Sequence, residues 1–273
     1  MGKNMEAQSK LAFSTLGCPE LSLPQVVELA SRAGYAGVEL RGQGREHIDP
    51  SFSKAERAEV RRLFSARQVS IIGVTAYSRF AFLEELSRRE NEEQLLACVE
   101  LAAELGAPFV RTFVGAWEQG VDSEAIYQGV ADSLERVALR MEGSPVTVLV
   151  ETHDSVSRMG ELHKILRRVP SAKIAVLWDM AHSYGLGESL EASLELIGKR
   201  LGYLHLKDAH LGPGGEERLC LPGEGEVPLR ACRELLWQRG YRPWLCLEWE
   251  RKWHPELPPL PEALERFKEV MGA

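Results

Sequence analysis

The stretch Ile174–His182, I-A-V-L-W-D-M-A-H, decides how the chain is read. Five apolar residues run unbroken, an aspartate follows, and a histidine comes three places after it. Such a run suits a parallel strand covered on both faces. A carboxylate at its carboxyl end suits a ligand placed where such strands open to solvent. The same grammar recurs at Val146–Asp154 (V-T-V-L-V-E-T-H-D), Gly202–Asp208 (G-Y-L-H-L-K-D) and Trp244–Glu250 (W-L-C-L-E-W-E). Four apolar strands therefore end in Glu151, Asp179, His205 and Glu248. Any one of these alone reads as well as a helix cap, a surface ion-pair partner or a core histidine. Together, one site built by four neighbours explains them better than four accidents.

Working outward, four more strands precede these: Leu11–Leu16, Tyr35–Leu40, Val69–Thr75 and Pro108–Val114. Helical periodicity fills the intervals. Pro24 sits in a first helical turn that Gly34 closes, and Ser53–Glu56 has the spacing of a capping box. A helix is expected from about Glu92 to Leu105, and Asp122 or Ser123 caps the next. The last begins at Pro261. Strands and helices alternate eight times, and a right-handed β-α repeat of eight closes into a (β/α)8 TIM barrel of the α/β class. Residues 11–273 read as a single domain, with residues 1–10 a frayed N-terminal segment. A doubly wound open sheet is the alternative, but no G-x-G-x-x-G follows the first strand.

Composition narrows the partners. The chain has 273 residues, 44% hydrophobic and 27% charged, enough for a sizeable core. A formal charge of -7 and a pI near 5.6 argue against nucleic acid or an anionic membrane surface. Five scattered cysteines without a C-x-x-C pair fit a reducing compartment. The opening M-G-K-N-M-E-A-Q-S-K lacks a signal peptide's apolar segment, and no apolar run reaches bilayer length. A cytoplasmic protein is the expectation.

Three carboxylates and one imidazole suit one divalent metal ion, with Mn, Mg, Co and Zn all open. The anionic set favours neutral carbonyl and hydroxyl oxygens as its remaining ligands, of the kind a small-molecule polyol-ketone offers. A cation on a ketone and its neighbouring hydroxyl acidifies the intervening C–H, so a glutamate can remove that proton and leave an enediolate. Returning the proton gives epimerisation or isomerisation, and losing a β-hydroxyl gives dehydration.

The chain resembles the xylose isomerase-like barrel superfamily, in particular its sugar phosphate isomerase/epimerase group. The resemblance covers most of the chain. It rests on V-E-T-H-D, W-D-M-A-H, L-H-L-K-D with the later P-G-E-G-E, and C-L-E-W-E. It implies that Glu151, Asp179, His205 and Glu248 hold the metal. It further implies that Glu151 and Glu248 form the acid/base pair on opposite sides of the substrate, and that His182 bonds a substrate oxygen. Ketose 3-epimerases of the group carry an arginine soon after the seventh-strand histidine. Here Lys207, Asp208, Ala209 and His210 follow, and the first arginine is Arg218.

Further candidates are weighed singly. Glu39 and Arg41 end the second strand, as substrate contacts or a structural ion pair. Arg111 can grip an anionic substrate group or neutralise the site. His153 shares a face with Glu151, and Lys207 with His205, either touching substrate or supporting the ligands. For Lys207 a local pair with Asp208 is preferred. The glycine-rich stretch Asp208–Val227 reads equally as a lid or a mobile crossover. Trp244, Trp249 and Trp253 pack the core, wall a sugar pocket or bury a homodimer face, with core preferred.

The reading that follows is a divalent-metal-dependent sugar isomerase or epimerase. The alternative is an inosose-type dehydratase. An endonuclease IV-like phosphodiesterase is disfavoured, since the third and fourth strands end without histidine. A non-catalytic sugar-binding barrel would not need both Glu151 and Glu248.

Overall fold

A computed structural model describes residues 10–242 and 244–272. The frayed segment expected over residues 1–10 lies outside the described residues except for Lys10, which opens the first strand. The barrel strands are β1 (Lys10–Ser14), β2 (Gly37–Arg41), β3 (Ser70–Thr75), β4 (Phe109–Thr112), β5 (Thr147–Glu151), β6 (Ile174–Asp179), β7 (Leu201–Leu206) and, after a hairpin, β10 (Trp244–Leu247). They are parallel and close on themselves, β1 pairing with β2 on one side and β10 on the other. The expected strands are all present, mostly trimmed by a residue or two. Leu11–Leu16 is cut at Ser14, whose hydroxyl accepts the Leu16 N–H and starts a 3-10 turn over Thr15–Gly17.

The helices are α1 (Leu23–Ala33), α2 (Lys54–Ala66), α3 (Glu85–Leu105), α4 (Ser123–Arg140), α5 (Met159–Leu166), α6 (Met180–Gly185), α7 (Leu190–Ile197), α8 (Leu229–Gln238) and α9 (Leu260–Met271). Ser53 and Glu56 form the expected capping box, Gly34 takes a left-handed cap, and Asp122 caps α4 through the Glu124 and Ala125 N–H groups. Two elements were not expected. Helix α6 begins directly at the end of β6, and Asp208–Val227 contains an antiparallel hairpin, β8 (Asp208–Leu211) with β9 (Glu217–Cys220). Helix α3 starts seven residues before Glu92, because ion pairs from Arg89 to Glu85 and Glu92 extend it without apolar periodicity.

Apolar side chains fill two regions. Most lie between strands and helices, while Ala12, Ile72, Leu149, Leu177, Tyr203 and Cys246 pack inside the barrel. Side chains alternate along a strand. The next inward positions toward the carboxyl ends are therefore Glu151 after Leu149, Asp179 after Leu177, His205 after Tyr203 and Glu248 after Cys246. Gly73 makes room beneath them, since a Cβ there would stand 2.8 Å from the Tyr203 hydroxyl. Of the tryptophans, Trp249 is fully buried and Trp244 partly so, whereas Trp253 is 53% exposed at the rim. No helix among the described residues is long and apolar enough to cross a membrane.

Candidate metal centre and active site

Glu151, Asp179, His205 and Glu248 converge at the carboxyl mouth of the barrel. All four are buried, and each offers a ligand atom within 4.8 Å of the others. Ligands at opposite poles of an ion with roughly 2.1 Å bonds stand about 4.2 Å apart, so the group needs only slight contraction to hold one. Glu39, His205 and Cys246 also cluster, but burial raises the Cys246 thiol well above its ordinary range and disfavours a thiolate ligand.

The two His205 nitrogens face different neighbours. Nδ1 lies 2.7 Å from Glu151 Oε1 and 3.2 Å from Glu248 Oε1, inside the ligand cluster. Nε2 donates to Glu39 Oε2 at 2.8 Å, and the Tyr203 hydroxyl donates to the same oxygen. Glu39 has no exposed surface. Of its two expected readings, substrate contact or structural partner, the contacts described are structural: the carboxylate lies behind the histidine on Nε2, with Nδ1 turned to the cluster.

Asp179 divides its oxygens. Oδ1 caps α6 by accepting the Ala181 and His182 N–H groups at 3.0 and 3.3 Å. Oδ2 lies 2.9 Å from Lys207 Nζ without hydrogen-bond alignment, so this buried oxygen is unsatisfied. Glu151 Oε2 is similar, 3.1 Å from Arg111 Nε but out of line with its N–H. Buried carboxylate oxygens left without hydrogen bonds at two of the four corners fit the donor set of a cation.

Lys207, 1% exposed, reaches Glu248 Oε2 at 3.0 Å and Glu250 Oε1 at 2.8 Å as well as Asp179. The preferred local pair with Asp208 does not form. The Asp208 carboxylate is instead taken by the N–H groups of Ala209, Gly223, Gly225 and Val227. Arg111 lies against the Phe113 ring at 4.4 Å and beside Glu151, a placement that fits neutralisation better than a free grip on an anionic substrate. Arg41 leaves the Glu39 carboxylate alone and bonds Tyr77 and Glu46.

These contacts set the titration behaviour. Burial alone would raise Glu151, but Arg111 and His205 outweigh it and hold its carboxyl at about 2. Glu248 is likewise held well below the carboxylate range, by His205 and Lys207 against burial. Asp179 moves up, because burial prevails over His182 and Lys207. Burial would lower His182, yet Asp179 and Glu217 bring it to about 9.

At the mouth, His182 Nδ1 lies 2.7 Å from Glu217 Oε1, and its ring meets that of His153 edge-on at 5.1 Å. His153 is half-exposed beside Asp154. Glu217 and Glu250 were not among the expected site residues. Glu250 was legible, since it follows Glu248 by two on an inward face. Glu217 arrives only through the hairpin, and neither spacing nor hydropathy marks it.

A family model described as the xylose isomerase-like TIM barrel matches residues 27–270. Fructoselysine 3-epimerase of Shigella flexneri is 26% identical over 277 residues, covering 96% of this chain and 98% of that protein. Inosose isomerase of Bacillus velezensis is 23% identical over 240 residues, covering 85% of each. The crystal structure of IOLI protein with a zinc atom shares the fold, with a TM-score of 0.81 at 20% identity over 96% of this chain and 98% of that one. With most of its length matched by that model and a barrel to correspond, the chain belongs to the xylose isomerase-like TIM barrel family.

Proposed function

We propose that this protein is a divalent-metal-dependent sugar isomerase or epimerase that moves a proton on a carbon beside a carbonyl. The observation that carries the reading is the convergence of Glu151, Asp179, His205 and Glu248 in one buried cluster that includes two glutamates. The similarity to proteins named fructoselysine 3-epimerase and inosose isomerase supports the same class of substrate.

Glu151, Asp179, His205 Nδ1 and Glu248 would hold the ion, with Mn, Mg, Co and Zn all admissible to an oxygen-rich set. When bound, the ion supplies Lewis-acid chemistry to a substrate carbonyl and its neighbouring hydroxyl. Glu151 and Glu248 serve as the proton-accepting and proton-returning pair. Arg111 and Lys207 each sit against one of them, keeping both ionised in the resting site. His182 Nε2, Lys207 and His153 would bond hydroxyl oxygens of the substrate.

The test is metal analysis followed by incubation of the loaded protein with D-fructose, D-tagatose and inosose in deuterated water. Deuterium at a carbon bearing hydroxyl is the expected result, and loss of water from the product would instead mark a dehydratase. Glu151→Gln and Glu248→Gln should each lower exchange at least a hundredfold, the usual scale for a lost general base. Full exchange in either variant removes that residue from the pair.

A further inference from the structure

We propose that Glu217, carried on the β8–β9 hairpin, is a positioning residue that sets which nitrogen of His182 is turned toward the metal cluster. The inference rests on the reading of His182 as a substrate contact.

His182 stands on the short helix α6, and its ring meets Asp179, Lys207, His153 and Glu217. Its Nδ1 lies 2.7 Å from Glu217 Oε1, and Glu217 has a largely buried side chain, 12% exposed. An ionised carboxylate only accepts, so the nitrogen facing it carries a proton whether or not the ring is charged. The other nitrogen, Nε2, then faces the cluster, 3.4 Å from Asp179 Oδ2 and 3.3 Å from Lys207 Nζ. The His153 ring, at 90° to the imidazole with centroids 5.1 Å apart, closes one side of it, and Glu217 makes the shortest polar contact to the ring.

The hairpin is built to deliver that acid. Asp208 gathers four backbone N–H groups at its base, from Ala209, Gly223, Gly225 and Val227, at 2.7 to 3.2 Å. Gly225 is obligatory there, because a Cβ would come within 2.2 Å of Asp208 Oδ1. Along β9 the faces alternate. Glu217 and Leu219 turn toward the barrel, while Arg218 between them is exposed. The extended loop after the seventh barrel strand thus brings a carboxylate to the site, and its arginine faces away. Glu217 also lies 3.9 Å from Lys207 Nζ, too far for a hydrogen bond, so His182 is its principal partner.

The experiment uses the full chain labelled with nitrogen-15 histidine and loaded with Mg2+, and reads ring protonation from long-range proton–nitrogen correlations. His182→Gln assigns the signal. In the native protein His182 should show a protonated, hydrogen-bonded Nδ1. Glu217→Ala should abolish that pattern, and Glu217→Gln, whose amide oxygen still accepts, should retain it. Should the alanine variant fail to fold, Glu217→Asp, with a carboxylate too short to reach the ring, takes its place. On the ketose panel, Glu217→Ala should lower kcat/KM by about 10–100-fold, the range for residues that orient a functional imidazole. Glu217→Gln should recover most of it, with Mg2+ affinity unchanged. An unaltered His182 pattern in the alanine and aspartate variants overturns the inference, as does an equal kinetic loss in the alanine and glutamine variants. No exchange by the native protein with any sugar would count against the proposed function, and the ring-protonation result would still decide the role of Glu217.

Discussion

At the scale of single residues, Asp179 and His205 each face two partners at once. Asp179 spends one oxygen on capping α6 and keeps the other for the cluster. A strand-end aspartate reads from sequence as a cap or as a ligand, and here both are compatible because the carboxylate has two oxygens. His205 divides in the same way, Nε2 to Glu39 and Nδ1 to the glutamates. Glu39 is therefore a residue whose loss should be felt by the ion. Glu39→Ala should weaken divalent-ion binding by about 10–100-fold, read by calorimetric titration. An unchanged affinity would show that the His205 ring is held by Tyr203 and its packing alone.

At the scale of elements, the hairpin is the part that departs from a plain eightfold repeat. A lid would need a base free to hinge, and the four N–H groups converging on Asp208 oppose that. Asp208→Ala leaves four donors without their acceptor, and a buried unsatisfied polar group costs about 1–3 kcal/mol. Amides of residues 208–227 should then exchange with solvent at least tenfold faster while the barrel strands keep their protection. Equal protection across both would mean that the hairpin is held by its packing on α6 instead. Helix α3 makes a related point, since its first turns rest on Arg89 ion pairs while Leu86 stays 72% exposed.

At the scale of the whole molecule, the ion and the fold should be thermodynamically linked, because four strands contribute to one cluster. An ion present at a hundred times its dissociation constant adds about 2.7 kcal/mol to stability. For a chain of this size, that raises Tm by roughly 5–10 °C. Thermal melts in chelator and in excess Mn2+ should differ by that amount, and identical melts would argue against a site spanning these strands. The ion-free protein should also be acid-sensitive. Glu151 titrates at about 2 in the fold, below its ordinary 4.5, so its stabilisation is complete above 4.5 and drains away as pH falls toward 2. Glu248 shifts in the same direction, while Asp179, shifted upward, favours the fold on the acid side and loses that contribution as pH rises. Because Glu217, Asp154 and Glu161 also shift downward, stability should fall between pH 4.5 and 2, and Glu151→Gln should flatten the slope.

What the sequence determined by itself was the barrel and the cluster of four side chains at its carboxyl mouth. Strands buried on both faces must be continuously apolar, and side chains repeat every second residue. The polar residue that ends each run is thereby aimed at the axis, which made Glu151, Asp179, His205 and Glu248 legible before any fold was known. The helix caps at Ser53, Gly34 and Asp122 were legible for a similar reason, since a cap depends on residues within one turn. Only the tertiary structure decided that Glu39 supports His205, that Lys207 belongs to Asp179 and Glu248 rather than Asp208, and that Glu217 reaches His182. Those pairings join residues as far apart as 166 positions. They form because a closed barrel brings non-neighbouring segments to one axis, and local spacing carries no record of which buried charge will meet which.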